Sequence, residues 1–389
     1  MRNKKIVVII LAIAIFAGGI TGFFYHQAEA NSESHEDKFE QLFLIYDLIR
    51  GGFVEEVDSD KLIKGAIDGM IDALDDPYSG HLTKEEFEDM QSDMEGEYGG
   101  LGIIITERDG QLTIVSPFDD TPGDRAGLQS NDMIMEIDGE ATAEMAMENA
   151  VDRMRGEPGT SVTLLIKRVD EDDESDSEEF EVELEREMIE LEYVTYEVLD
   201  NDIGYIEFSR FGEDVGDEIA NALAELREQG ARGFILDVRN NPGGLLPEAA
   251  RVVGNFLESG PAVHIKERSG DMEPMMIDSR IETVDEPLVI ISNRGSASGS
   301  EILIGAIQDS ERGTVVGDRT FGKGVVQNVI PLEDGSAARL TIAQFYTPDE
   351  RKIDPDDGLA PDIEVEFDIE TEDDEQLDKA IEVMLDKLN

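Results

Sequence analysis

Apolar residues recur at three- and four-residue spacing in the first quarter of the chain: Phe39, Leu42, Phe43, Tyr46 and Ile49, then Leu62, Ile67, Met70, Ile71 and Leu74. The spacing predicts two amphipathic helices. After the turn Asp76-Pro77-Tyr78-Ser79-Gly80, the run Thr83-Lys84-Glu85-Glu86 predicts the cap and first turn of a third. From about residue 96 to 168 the texture changes to short β-branched runs punctuated by Gly, Pro and Asp. Strands are predicted over 101–106, 112–115, 133–137 and 162–167, with a helix over 143–155. Beyond about 188, strands (203–208, 233–238, 263–266, 288–292, 314–316) alternate with helices (214–229, 247–258, 300–308), the pattern of an α/β layer structure. A last amphipathic helix over 374–388 carries Leu377, Ile381, Met384 and Leu388 on one face.

The first 30 residues stand apart. Met1-Arg2-Asn3-Lys4-Lys5 is basic, and Ile6 to Phe24 then runs 19 residues without a charged side chain, close to the roughly 20 that span hydrocarbon as a helix. This is an export segment. It is expected to remain as an N-terminal transmembrane helix, a single-pass anchor through residues 6–24 with the basic end inside; cleavage after Ala30, in Ala28-Glu29-Ala30, would instead release a secreted form. The expected fold class is therefore a multidomain chain of α/β and β parts. Its divisions are a signal or membrane anchor (1–30), a helical region (31–95), a compact β module (96–168), an acidic hairpin or linker (169–187), an α/β core (188–369) and a C-terminal helix (370–389).

Charge changes the picture of the partners. The 32 Lys and Arg against 91 Asp and Glu give a formal charge of −59, which repels polyphosphates and argues against a nucleic-acid partner. Carboxylates run through every segment, so the acidity reads as a whole surface adapted to concentrated salt, where screening relieves self-repulsion. The segment 170–179 (DEDDESDSEE) is a solvated tip with no chemistry assigned. The chain has no Cys, which excludes disulfides, thiolate metal sites and a cysteine nucleophile.

Candidate chemistry sits in two places. In Tyr98-Gly99-Gly100-Leu101-Gly102-Ile103, glycines precede a strand, so backbone N–H groups of Gly100, Leu101, Gly102 and Ile103 can converge on a carboxylate beside an edge open to an extended peptide; a simple tight turn would use the same residues. Further along the chain come Ser116-Pro117, Thr121-Pro122-Gly123, Arg125-Ala126-Gly127-Leu128, Asn131-Asp132-Met133-Ile134 and Ile137-Asp138-Gly139. This order resembles the PDZ domain, particularly the form carried by bacterial exported proteases. Asn131 stands where that family usually has Gly, and Asn tolerates a left-handed backbone.

The second place is Ser296-Ala297-Ser298-Gly299-Ser300-Glu301, which joins an apolar strand to a helix. It is either a Ser-rich helix cap or a turn that exposes a nucleophile beside a helix N-terminus. None of the four His lies in a recognisable triad pattern. Lys323, flanked by glycines in Phe321-Gly322-Lys323-Gly324, suits an amine whose burial favours the neutral form and so a general base. Gln327 shares its face on an extended strand and can orient it. Arg239-Asn240-Asn241-Pro242-Gly243-Gly244 ends another strand in a sharp turn; Gly243 or Gly244, with Gly299, can offer N–H groups to an oxyanion. The same kind of turn could cradle phosphate, but no G-x-x-x-x-G-K-[ST] pattern accompanies it.

These stretches, with Asp76-Pro77-Tyr78-Ser79, Tyr346-Thr347-Pro348 and Gly358-Leu359-Ala360-Pro361-Asp362, resemble the carboxyl-terminal processing peptidases, exported serine proteases with a Ser-Lys dyad. The likeness spans nearly the whole chain after residue 30. It implies a serine endopeptidase with Ser298 as nucleophile, Lys323 as base and Gln327 as third member, reading protein C-terminal tails through the PDZ module, which would also gate the site. No metal or organic cofactor is implied, and a homodimer is compatible with the reading. The rival expectation is a catalytically inactive tail-binding scaffold in the cell envelope. Gly299 replaces a common Ala, and Glu350 a frequent Gly. Asp309, 11 positions after Ser298, and Glu301, in the first turn of its helix, both read as structural carboxylates rather than catalytic ones.

Overall fold

The computed structural model describes residues 36–108, 110–143, 145–169, 177–355, 357–366 and 373–389. The apolar segment 6–24 lies outside them, and among the described residues no helix is long and apolar enough to cross a membrane. The chain divides into two compact units, 1–81 and 82–389.

The first unit holds α1 (Glu36–Gly52) and α2 (Ser59–Asp72), the two helices the apolar spacing predicts. Asp58 caps α2 through its side chain, which accepts from the Asp60 and Lys61 N–H groups. Phe39, Leu42, Phe43, Ile45 and Leu48 of α1 are exposed. A short strand, β1 (Gly80–Leu82), follows.

The second unit opens with α3 (Lys84–Glu95), where the Thr83 hydroxyl accepts from the Glu86 N–H while the Glu86 carboxylate accepts from the Thr83 N–H. Strand β2 (Glu97–Gly100) leads into an antiparallel sheet built of β3 (Ile103–Arg108), β4 (Gln111–Pro117), β5 (Met133–Ile137), β6 (Glu140–Ala141), β7 (Ser161–Val169) and β8 (Ser177–Glu185), with α4 (Pro122–Arg125) and α5 (Met147–Met154) between strands. The order is β3-β4-β5-β7-β8, so β3 is an edge. Leu112, Ile114, Ile134, Ile137, Leu164 and Ile166 fill its core. Asn131 takes φ 69°, the left-handed conformation expected of it. Strand β8 pairs with β7 over its whole length. It occupies 177–185, inside the stretch expected to be an acidic hairpin or linker; Phe180, Val182 and Leu184 alternate there with Glu, the period of a half-buried strand.

After β9 (Glu187–Glu190), which pairs with β2, comes the α/β core. Its sheet runs β10 (Val194–Leu199), β11 (Ile203–Phe208), β12 (Gly233–Asp237), β15 (Leu288–Ser292), β16 (Thr314–Gly317) and β19 (Ile363–Glu364), with β10 antiparallel and the rest parallel. Alternation along the strands divides two cores. Phe234, Leu236, Leu288 and Ile290 face α6 (Val215–Glu228), α7 (Leu246–Gly254) and α8 (Gly299–Asp309), while Ile235, Val289, Ile291 and Val316 pack with Ala380 and Met384 of α9 (Glu375–Leu388). A second sheet joins β13 (Pro261–Glu267), β14 (Met272–Met276), β17 (Val325–Pro331) and β18 (Ala337–Tyr346). The carboxyl ends of β12, β15 and β16 each open into a turn, which is where parallel α/β sheets bind ligands.

Candidate active site

Ser298 stands at the N-terminus of α8 with φ 51° and ψ −107°. For a residue with a Cβ this conformation costs about 1–3 kcal/mol and persists only where neighbours impose it. They do so here. The Ser298 N–H donates to Glu301 Oε2 at 2.9 Å, and the Ser298 carbonyl accepts from the Glu301 and Ile302 N–H groups. Of the three serines in the motif, the Ser296 hydroxyl donates to the Val238 carbonyl (2.7 Å) and the Ser300 hydroxyl to the Asn241 carbonyl (2.9 Å). Both are fully buried, whereas Ser298 is half-buried. The accessible hydroxyl is thus the middle one. The other two staple the turn after β15 to the turn after β12.

The glycines of that second turn are required by close approach. Gly243 has φ 95°, and a β-carbon on it would stand 2.6 Å from the Gly299 nitrogen and 2.7 Å from Ser298 Cβ. The turn therefore lies against the Ser298–Gly299 peptide. Of the oxyanion donors expected from the sequence, the Gly243 N–H donates to Asn241 Oδ1 at 2.9 Å, which favours the other alternative, Gly244, beside Gly299. Arg239, at the start of the turn, pairs with Asp237 and Asp374 and ties it to the N-terminus of α9.

Lys323 sits on the loop after β16, and Glu301 holds this loop against the nucleophile turn. The Glu301 side chain is fully buried and accepts from four donors: the Thr320 hydroxyl (2.6 Å) and Gly322 N–H (2.8 Å) on Oε1, the Ser298 N–H (2.9 Å) and Lys323 N–H (2.8 Å) on Oε2. Phe321 adds its own N–H to the Ser296 carbonyl. Three N–H donors and a hydroxyl around one carboxyl group favour the ionised form. Burial pushes the Glu301 carboxyl up from its ordinary range, and the four hydrogen bonds oppose that. The Ser298-x-x-Glu301 spacing is that of a capping box and announces the bond to the Ser298 N–H, whereas the partners 19 to 22 positions away leave no local signature.

Lys323 is half-buried, and burial first, then the positive charge of Arg339 on β18, hold its amine below the ordinary lysine range; the Glu301 charge pulls the other way. Gln327 lies on β17 opposite Thr341 of β18, part of the sheet that continues from the lysine loop. Asp309 closes the far end of α8: it accepts from the Asp349 N–H (2.8 Å) and from Arg351 Nε (2.8 Å), which fixes the turn after Thr347. Glu350 in that turn has φ 60°, the left-handed region that a glycine would occupy without strain.

The tail-binding candidates lie together at the edge of the β3 sheet. Tyr98, Gly100, Leu101, Gly102, Ile103 and Ile105 line one side of a groove of about 210 Å³, and Val151, Met154 and Arg155 of α5 and the residue after it line the other. The Leu101 carbonyl accepts from the Gly123 N–H, and the Gly102 carbonyl from the Phe118 N–H. Arg155 stacks over the Tyr98 ring at 4.9 Å and reaches Asp89 of α3. Among the described residues no cluster of His, Asp and Glu is arranged to hold a metal ion.

Three comparisons with known proteins find relatives of this chain. Residues 202–365 match peptidase family S41, residues 113–168 a PDZ domain, and residues 23–86 the N-terminal domain of the activating protease CtpB. The chain is 32% identical over 371 residues to carboxy-terminal processing protease CtpA of Bacillus subtilis, covering 94% of this chain and 78% of that one. It is 38% identical over 328 residues to a carboxy-terminal-processing protease of Bartonella bacilliformis, covering 83% of this chain and 74% of the relative. Among solved structures it is similar to a photosystem II D1 C-terminal processing protease, with 28% identity, a TM-score of 0.51, and 88% and 90% of the two chains covered. With an accessible, strained serine at a helix N-terminus, a groove at a sheet edge, and relatives matched across most of their length, the chain belongs to the carboxy-terminal processing proteases, serine-type peptidases of family S41.

Proposed function

We propose that this peptidase cleaves proteins by a Ser298–Lys323 mechanism after its PDZ module has taken hold of their C-terminal tails. The observation that carries the reading is the shared carboxylate of Glu301, which accepts from the main chain of both Ser298 and Lys323 and so sets the two residues side by side. The lysine amine, whose burial favours the neutral form, removes the Ser298 proton as Oγ adds to the peptide carbonyl. The N–H groups of Gly244 and Gly299 hold the resulting oxyanion, and Gln327 orients the amine. Collapse of the adduct breaks the C–N bond, with the proton passing from Lys323 to the leaving amine. Water then adds to the acyl-enzyme, its proton going to Lys323; the Oγ–C bond breaks, Lys323 returns that proton to Ser298 Oγ, and the carboxylic acid leaves.

The edge of β3 and the glycine turn before it support tail capture: a peptide laid along the edge gains main-chain hydrogen bonds, with its carboxylate at the turn and its last side chain against Ile103, Ile105, Val151 and Met154. The basic start and uncharged run of residues 6–24 support a place outside the cytoplasmic membrane, anchored or released. The exposed apolar face of α1 supports pairing with a second copy. Full-length protein assayed on an unfolded substrate in high salt beside Ser298→Ala and Lys323→Ala tests the chemistry. Both variants are expected to be inactive; equal cleavage by all three would leave an untouched groove and no Ser-Lys enzyme.

A further inference from the structure

Phe211, in the segment between β11 and α6, belongs to none of the sequence motifs and is fully buried. Its N–H donates to the Gly243 carbonyl (3.0 Å), and its carbonyl accepts from the Leu245 N–H (2.7 Å). Residue 211 thus brackets Gly243 and Gly244 with a one-residue parallel bridge. The fit leaves no slack, since a β-carbon on Gly244 would stand 2.3 Å from the Phe211 carbonyl oxygen. The ring points the other way, under the nucleophile: the position of a β-carbon on Gly299 lies 2.9 to 3.2 Å from three of its ring carbons. One residue therefore contacts both peptide segments whose N–H groups are proposed above to hold the oxyanion.

The ring is itself held. It meets the Phe208 ring edge-on at 5.0 Å between centroids and 80° between planes. The segment that carries it is tied to α3 directly, where the Glu213 N–H donates to the Met94 carbonyl, and through Tyr193, whose carbonyl accepts from the Ser209 N–H and whose hydroxyl donates to the Asp93 carbonyl. We infer that Phe211 is a positioning residue of the oxyanion site, setting the Gly244 and Gly299 N–H groups at the separation that the tetrahedral adduct requires. The inference rests on the Ser298 mechanism proposed for this site. Its backbone bonds survive most substitutions, so the ring is the part that a variant probes.

The test compares full-length Phe211→Leu with Phe256→Leu, which removes a ring of the same size just past the C-terminal end of α7. Each is measured for kcat and KM on one peptide, for the pH midpoint of activity, for melting temperature, and for affinity toward a peptide boronic acid, which adds to a serine oxygen and imitates the tetrahedral adduct. Phe211→Leu is expected to lose tenfold or more in kcat and as much in boronate affinity, with KM within twofold and the pH midpoint unmoved. Phe256→Leu is expected to lower the melting temperature with kcat within twofold. If Phe211→Leu loses no more kcat than Phe256→Leu, or loses kcat without boronate affinity, the inference is wrong. Should the leucine variant not fold, Phe211→Met carries the same comparison. Ser298→Ala run alongside separates the two levels, because cleavage that survives it overturns the nucleophile assignment itself.

Discussion

Gly243 lies so close to Ser298 that a single added methyl group would stand 2.7 Å from the serine β-carbon and 2.6 Å from the Gly299 nitrogen. Neither neighbour can retreat, since Ser298 is fixed through Glu301 and the turn through Phe211. Gly243→Ala is therefore expected to lower kcat by about 10²–10³, the loss that follows removal of an oxyanion donor, with a smaller effect on KM. Steady-state cleavage of a peptide checks it, and retention of wild-type kcat would mean that the turn is not part of the site.

Glu301→Gln keeps the volume but turns two of the four acceptor positions into donors that face other donors. With a hydrogen bond to a charged group worth about 1.5–3 kcal/mol, a loss of about 10- to 100-fold in kcat is expected. Glu301→Ala, which leaves four donors without this acceptor, two of them fully buried, is expected to destabilise the fold by about 3 kcal/mol or more, read from denaturant unfolding.

The depressed Lys323 sets a pH dependence with a definite sign. The neutral amine is the active form, so kcat/KM should rise with pH through a midpoint below the ordinary lysine value of about 10.4. Arg339 is one cause of the depression, and Arg339→Gln is expected to move that midpoint upward while Glu301 stays in place. Stability follows the same direction. Between the depressed pKa and about 10.4 the unfolded chain binds a proton that the folded chain does not, so this group's contribution to folding improves as pH rises. A midpoint that Arg339→Gln leaves unmoved would rule out Arg339 as a cause.

Tail capture predicts a carboxylate requirement. A peptide ending in a free non-polar residue is expected to bind the groove at Gly102 and Ile103 at least about tenfold more tightly than its C-terminal amide, the worth of one charge-assisted hydrogen bond. Fluorescence polarisation with the Ser298→Ala protein measures both without cleavage.

A formal charge of −59 repels itself over distances that dilute buffer does not screen. The Debye length falls from about 10 Å at 0.1 M to about 3 Å at 1 M salt. Tm should accordingly rise by several degrees between those concentrations in KCl. A flat or falling Tm would show that the carboxylates are not under mutual strain.

The elements that sequence periodicity can see are those whose neighbours are local. Strand β15 reads as an uninterrupted apolar run because both of its faces are buried, and its boundaries, Leu288–Ser292, coincide with the expectation. The helix predicted over 300–308 is Gly299–Asp309 for the same reason. Helix α5 starts at Met147 rather than 143; β17 corresponds to the extended strand expected around Gln327, although it begins at Val325 and leaves Lys323 on the loop, whereas β18 has no counterpart among the predicted strands, and its register shifts at Ile342. At the site, Ser298, Lys323 and Gln327 are legible as residue types in an odd setting. Phe211 is not, because an aromatic after a strand is ordinary, and Glu301 is legible only as a helix cap, since its bonds to Thr320, Gly322 and Lys323 come from a distant chain segment.

At residues 298 and 323 Glu301 grips the peptide groups and not the side chains. The bonds it makes to residues 298 and 323 would form unchanged whichever amino acids stood there, provided that the backbone keeps its course. Frame and reagent are thus separable in this protein: the same buried anion could present a thiol in place of the hydroxyl, or an imidazole in place of the amine, so new reactivity could arise by exchanging a side chain without rebuilding its mount.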